Sequence, residues 1–271
     1  MDQLDLANIA LGHLGTVSLG DYDEVSPEGI QVRRQWDLVR DGLLRRRAWN
    51  FAIKRTALAL NGLISPTACS TTAGSAVVTC ASTSGLAAGM NITGADMSWN
   101  TTIASVIDGT HFALSQAASA DGFGLTLSAS IPPAFGWKFA YVLPSDYILA
   151  LSFDDRNAGT GQAHFEIEGS LLLCNVATKA NLRYVFQQTD PTAWDESFCE
   201  AFTLKLASRV AAGLTTATSL AGQLDQRAEQ YLTAAFGSNS QETRPRAITA
   251  QSDSGWMKAR MGFGFGTHHE G

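Results

Sequence analysis

Residues 64–130 contain no lysine, arginine or glutamate and only three aspartates. The composition changes abruptly on either side, where Pro66 and the Pro132-Pro133 pair punctuate the chain. Within the segment, short β-prone runs at 76–80, 90–93, 101–107, 111–115 and 124–128 alternate with turn signals at Ser84-Gly85, Thr93-Gly94, Asp108-Gly109 and Asp121-Gly122. Asp-Gly between two such runs is a strong hairpin signal. A small all-β domain over 64–130, inserted into a host of different character, is the expectation.

The host opens with a helix over 2–14, striped by Leu4, Ala7, Leu11 and Leu14 and stopped by Gly15. A loop leads to its most distinctive stretch, 26–60. Ser26 can cap free backbone N–H groups, and Pro27 stands where a missing N–H costs nothing. Val32, Trp36, Val39 and Leu43 then recur at spacings of four, three and four, on one helical face. The rest of that helix is mostly charged. Asp37 lies four residues from Arg33 and Asp41 four from Arg45, close enough to pair along the helix. Arg45, Arg46 and Arg47 close the run near the negative end of the helix dipole, and Trp49 and Phe51 follow as large anchors. From Arg33 to Arg55 there are eight basic and two acidic residues, a local +6 in a chain of net charge −6, so the remainder carries −12.

After the insertion, Trp137, Phe139 and Tyr141 alternate as in a half-buried strand. Further strands are expected at 147–153, at 164–167 and 170–173 around Glu168-Gly169, and at 182–186, together forming one antiparallel sheet of three to four strands. Asp190-Pro191 signals a helix carrying Trp194, Phe198, Phe202, Lys205 and Arg209 and stopped by Gly213. A last helix spans 219–236 and stops at Gly237. Residues 238–271 show no periodicity and read as an extended arm whose one amphipathic cluster contains Trp256, Met257 and Arg260. The fold class is therefore α+β: a four-helix bundle core with a small antiparallel sheet (1–63 and 131–237), an inserted all-β domain (64–130) and an extended C-terminal arm (238–271).

No apolar run reaches the ~20 residues that span a bilayer, so no membrane contact is expected. Asp2 and Asp5 stand where a signal peptide would carry positive charge. Cys69, Cys80, Cys174 and Cys199 lack CxxC spacing and read as free thiols, with a Cys69–Cys80 bridge across a hairpin as the lesser alternative. There is no GxSxG elbow, no GxxxxGK[ST] loop, and no GxGxxG opening a helix after a strand. None of the five histidines has the spacing of a helical zinc site, and Glu166 and Glu168 read as the wet face of a hairpin. The expectation is a protein that is not an enzyme and uses no metal or cofactor.

The arginine helix carries three readings. It is a solvated face with local ion pairs, worth little in stability; or a nucleic-acid-binding module using 33–55; or an interface between subunits or with a partner, formed by Arg33, Arg34, Arg40, Arg45, Arg46 and Arg47. The interleaved Asp37 and Asp41 and the acidic remainder favour the interface. Trp256, Met257 and Arg260 suit an anchor that docks in a partner's pocket.

The segments ALGHLG, WDLVRDGLLRRRAWNFAIKR, YVLPSDY, FEIEGSLLL and TDPTAWDESFCEAFTLKLASRVA resemble the tail tubular protein A type of phage head-to-tail adaptor. The resemblance covers about 2–60 and 135–236 and skips the insertion. Its most specific part is Arg40, Asp41, Leu43, Leu44 and Arg45 with Trp49, Asn50 and Phe51. Trp256, Ala259 and Arg260 resemble the tail ending of such proteins, and GLAAGMNITG, TTIASVIDGT and HFALSQAA are similar to small β modules spliced into phage structural proteins. The resemblance implies a virion protein assembled in the host cytoplasm. It would form a ring, usually of twelve subunits, that binds the portal on one side and a downstream tail or nozzle protein on the other. Genomic DNA would pass through the lumen without sequence recognition, which an acidic wall permits because it repels phosphate.

Overall fold

In a computed structural model, the structure describes residues 1–98, 100–153, 164–176, 180–214 and 218–241. They form a mixed α+β fold of four helices and several antiparallel sheets. Helix α1 (Gln3–Gly12) starts at a reciprocal capping box: Asp2 accepts from the Asp5 backbone and Asp5 from that of Asp2. Helix α2 (Pro27–Arg46) starts as its sequence dictates, with Ser26 Oγ accepting from Gly29 N–H and Pro27 in the first turn. The expected stripe is buried: Val32, Trp36, Val39 and Leu43, joined by Leu44.

Helix α3 (Glu196–Leu214) packs against α1, α2 and helix α4 (Thr218–Gln241). Its aromatic side chains organise the helical core. Phe202 lies 4.7 Å from Trp36 and 5.0 Å from Trp194, and Phe198 lies 5.0 Å from Trp49, mostly edge to face. Three boundaries differ from the sequence reading. Asp190-Pro191 opens a separate 3-10 turn, because Asp190 Oδ1 binds both Thr192 N–H and Thr192 Oγ1; α3 begins only after Asp195, which caps Ser197. The backbone of α3 continues through Gly213 to Leu214, and that of α4 through Gly237 to Gln241. Glycine inside a helix costs only about 1 kcal/mol, and neither stops its helix. The arm expected from residue 238 is thus helical as far as Gln241, and its remainder, 242–271, lies outside the described residues.

A 3-10 turn (Asn50–Ala52) leads from α2 to strands β1 (Ile53–Ala57) and β2 (Ala59–Leu60), neither of which is among the strands expected from the sequence. After them come seven short strands: β3 (Cys69–Thr71), β4 (Val77–Thr79), β5 (Asn91–Thr93), β6 (Ile103–Val106), β7 (His111–Leu114), β8 (Gly122–Leu125) and β9 (Ser128–Ser130). They pair as a five-stranded sheet, β6-β7-β4-β3-β8, and a β5-β9 ribbon around a core containing Val78, Ile92, Ile103, Phe112 and Leu127. Asp108-Gly109 makes the expected hairpin: Asp108 Oδ1 accepts from the Thr110 and His111 backbones at 2.7 and 2.8 Å. Asp121-Gly122 makes no turn; Gly122 starts β8, and Asp121 instead caps Ala73 N–H at 2.8 Å. The two ends of the segment are zipped together, with Ile64 and Ala129 exchanging backbone bonds and Ile131 N–H reaching Asn61 C=O. At the adjoining turn Gly62 has φ +60°, and a Cβ there would meet Ile131 Cδ1.

The remaining strands are β10 (Phe139–Val142), β11 (Tyr147–Phe153), β12 (Phe165–Glu168), β13 (Leu171–Cys174) and β14 (Asn181–Phe186). Instead of one sheet they build two, ordered β1-β14-β11 and β12-β13-β10-β2. Both contribute to one core, with Phe153, Leu182 and Tyr184 from the first and Phe139, Tyr141, Leu172 and Cys174 from the second. On its other face the first sheet presents Val185 to the helical core. All four cysteines are buried free thiols; the Cys69–Cys80 bridge is not formed. Burial pushes the Cys69 thiol up to about 11.

Candidate functional site

The arginines of α2 are largely engaged within the chain. Arg40 is buried, and Asp37 and Asp41 both converge on it, at 2.7 Å to Nη1 and 2.8 Å to Nε. Asp41 also accepts from Gln187 Nε2 at 2.7 Å, which ties α2 to the chain after β14. The expected Asp37–Arg33 and Asp41–Arg45 pairs are therefore not made. Arg33 donates to the Tyr22 carbonyl, and Arg45 donates to the Ile148 carbonyl at 3.0 Å. Arg40 lies within reach of both aspartates, and its side chain, only 6% exposed, is enclosed where those of Arg34 and Arg47 are not.

Arg46 pairs with Glu229 of α4 at 2.7 Å, and Lys205 of α3 reaches Asp225 at 2.6 Å and Glu229 at 3.1 Å. Hydrogen bonds from Lys205 hold Asp225, and from Arg46 hold Glu229, below the ordinary carboxylate range. This network clamps α2, α3 and α4 together. Sequence spacing could not reveal it, because its members are 20 to 183 positions apart. Arg34 and Arg47 are exposed, as is Arg209 on α3.

Between α2 and α3 runs an open cleft of about 400 Å3 lined by Gln35, Leu38, Gly42, Arg46, Lys205 and Arg209. Leu38 stands 70% exposed at its edge, and Gly42, one turn on, leaves a gap with nothing within 4 Å of a would-be Cβ. The opposite end of α2 has the opposite character. The α1–α2 loop and first turn carry Asp21, Asp23, Glu24 and Glu28 with no cation from 14 to 32, and expose Val17 and Val25 at 77% and 86%. Each end therefore offers an exposed apolar side chain, beside mainly acidic residues at one and beside the cleft-lining cations Arg46, Lys205 and Arg209 at the other.

Trp256, Met257 and Arg260 lie outside the described residues. Among the described residues no group of three or more His, Cys, Asp and Glu is placed to hold a metal ion, and no helix is long and apolar enough to cross a membrane. Comparison with protein-family models gives no match, and comparison with curated proteins gives none either.

Proposed function

We propose that this chain is a structural virion protein, a head-to-tail adaptor that assembles as a ring between portal and tail and lets the genome pass without reading it. The finer architecture belongs to the same reading. The four helices act as the bundle core, residues 64–130 act as an inserted domain whose two ends meet at the Ile64–Ala129 pairing, and the chain beyond α4 supplies the anchor at Trp256. The segments quoted above carry the resemblance.

One observation carries the mechanism: the charge and apolar polarity of α2. A helix of 20 residues is about 30 Å long, and it separates an acidic, valine-bearing end from a basic cleft edged by Leu38. Two different patches that complement each other generate a heterologous, head-to-tail contact, and such contacts make a ring when the rotation between copies closes. The loop of one copy, with Val25 among Asp21, Asp23 and Glu24, seats against Leu38, Gly42 and Arg209 of the next. Apolar burial supplies most of the association, and the charges fix register and exclude the reversed pairing. The nucleic-acid reading of 33–55 is weakened because Arg33, Arg40, Arg45 and Arg46 already have partners in the chain.

The test is cysteine cross-linking of the assembled protein. A Val25→Cys, Leu38→Cys variant should give an intermolecular disulfide ladder on mild oxidation, while each single variant should not. A ladder absent from the double variant, in assemblies of unchanged mass, would remove this interface.

A further inference from the structure

On the sheet β1-β14-β11, Arg55 sits directly opposite Arg183, and Arg183 opposite Ser152. Cross-strand neighbours in register project from the same face, so two guanidinium-bearing side chains and a hydroxyl form one row. Like charges directly opposite are destabilising unless something between them compensates. Arg183 Nε is buried without a hydrogen-bond partner, a condition that costs stability in a charged group. Arg55, Arg183 and Ser152, with Asn181 and Thr56, line an open cleft of about 420 Å3, and among the described residues that line it there is no carboxylate. The helical layer explains why the cleft is open. Val185, two residues along β14 on the same face, is fully buried in the helical core, whereas Asn181 and Arg183 lie toward the other end of the strand and stay partly exposed.

We propose that this cleft is a binding site for a dianionic phosphate group. Its lining groups are chiefly donors: two guanidinium forks, the Ser152 hydroxyl and the Asn181 amide. A carboxylate is satisfied by one arginine fork and would leave the second charge uncompensated. A phosphate dianion offers more oxygens and enough charge for both. The group is either free phosphate or the terminal phosphate of a nucleic-acid strand. The site stands apart from α2, so it does not depend on the ring interface.

The experiment is calorimetric titration of the full chain with inorganic phosphate at pH 8 and low ionic strength. Saturable binding at one per chain is expected. It should weaken at pH 5.5, where inorganic phosphate is mostly the monoanion and no longer the dianion that prevails at pH 8. Arg55→Gln, at the exposed rim of the cleft, should weaken binding about tenfold or more, as loss of a charge-assisted fork does. Arg55→Lys should recover only part of the affinity, and Arg34→Gln on α2 should change nothing. Displacement of phosphate by a 5′-phosphorylated oligonucleotide but not by its unphosphorylated counterpart assigns a strand terminus; displacement by neither assigns free phosphate. Absence of saturation, equal affinity in Arg55→Gln, or equal displacement by the unphosphorylated strand would overturn the proposal.

Discussion

Replacing Arg40 with alanine asks whether the middle of the arginine helix serves this chain's own fold. The side chain is 6% exposed and is held by Asp37 and Asp41, whose side chains are 73% and 31% exposed. Losing the pair with Asp37 costs about 0.5 kcal/mol, because that carboxylate is already in water. Asp41 is more enclosed, and loss of its charge-assisted hydrogen bond costs about 1.5 kcal/mol. The buried methylene stem adds about 1.5 kcal/mol at ~0.8 kcal/mol per CH2. The three contributions come to about 3.5 kcal/mol, a fall in Tm of roughly 7–14 °C at ~2–4 °C per kcal/mol for a chain of this size. Urea unfolding followed by tryptophan fluorescence measures it, with an unchanged m value showing that the unfolded state is unaffected. An Asp41→Asn change in the Arg40→Ala background should cost less than it does alone, since the two share one interaction. If Arg40→Ala is neutral within about 0.5 kcal/mol, Arg40 is not a structural residue and the intrachain account of it fails.

Other perturbations have opposite signs at neighbouring residue types. Gly62→Ala should destabilise by about 2 kcal/mol, because a Cβ in the left-handed region is strained and Ile131 must move aside; Gly42→Ala, in open space within α2, should stabilise by about 0.5–1 kcal/mol. Both are read from the same denaturation curves. Asp225 and Glu229 have depressed pKa values, so the unfolded chain binds more protons than the folded one as acid is added. Stability should therefore be level above the ordinary carboxylate range and decline progressively below about pH 4.5. A Lys205→Met variant should flatten that decline in thermal melts across pH 3–7.

The periodic features of the chain were legible before the structure. The stripe of α2, its Ser26-Pro27 start, the strand at 147–153 and the Glu168-Gly169 hairpin all rest on local chemistry and appear where expected. Local signals failed where tertiary pairing decides. IKRTA at Ile53–Ala57 carries two cations and no clear alternation, yet it becomes a strand because β14 offers it a partner in register. Gly213 and Gly237 read as stops, but a glycine costs a helix only about 1 kcal/mol, and the backbones of α3 and α4 run past them. The same limit applies to the candidate site. Spacing paired each aspartate of α2 with a different arginine, and the fold instead gathered both around Arg40, the one guanidinium that packing had already withdrawn from water. The facing of Arg55 and Arg183 is a consequence of register, which neither residue signals alone.

The measurement that bears most directly on an adaptor ring is the mass of the purified chain by light scattering, alone and mixed with portal. A small species alone that enters a stable, large complex with portal is the expected result. A chain that ignores portal, yet binds DNA with an affinity rising steeply as salt is lowered, would contradict the adaptor account and assign the basic surface to nucleic acid.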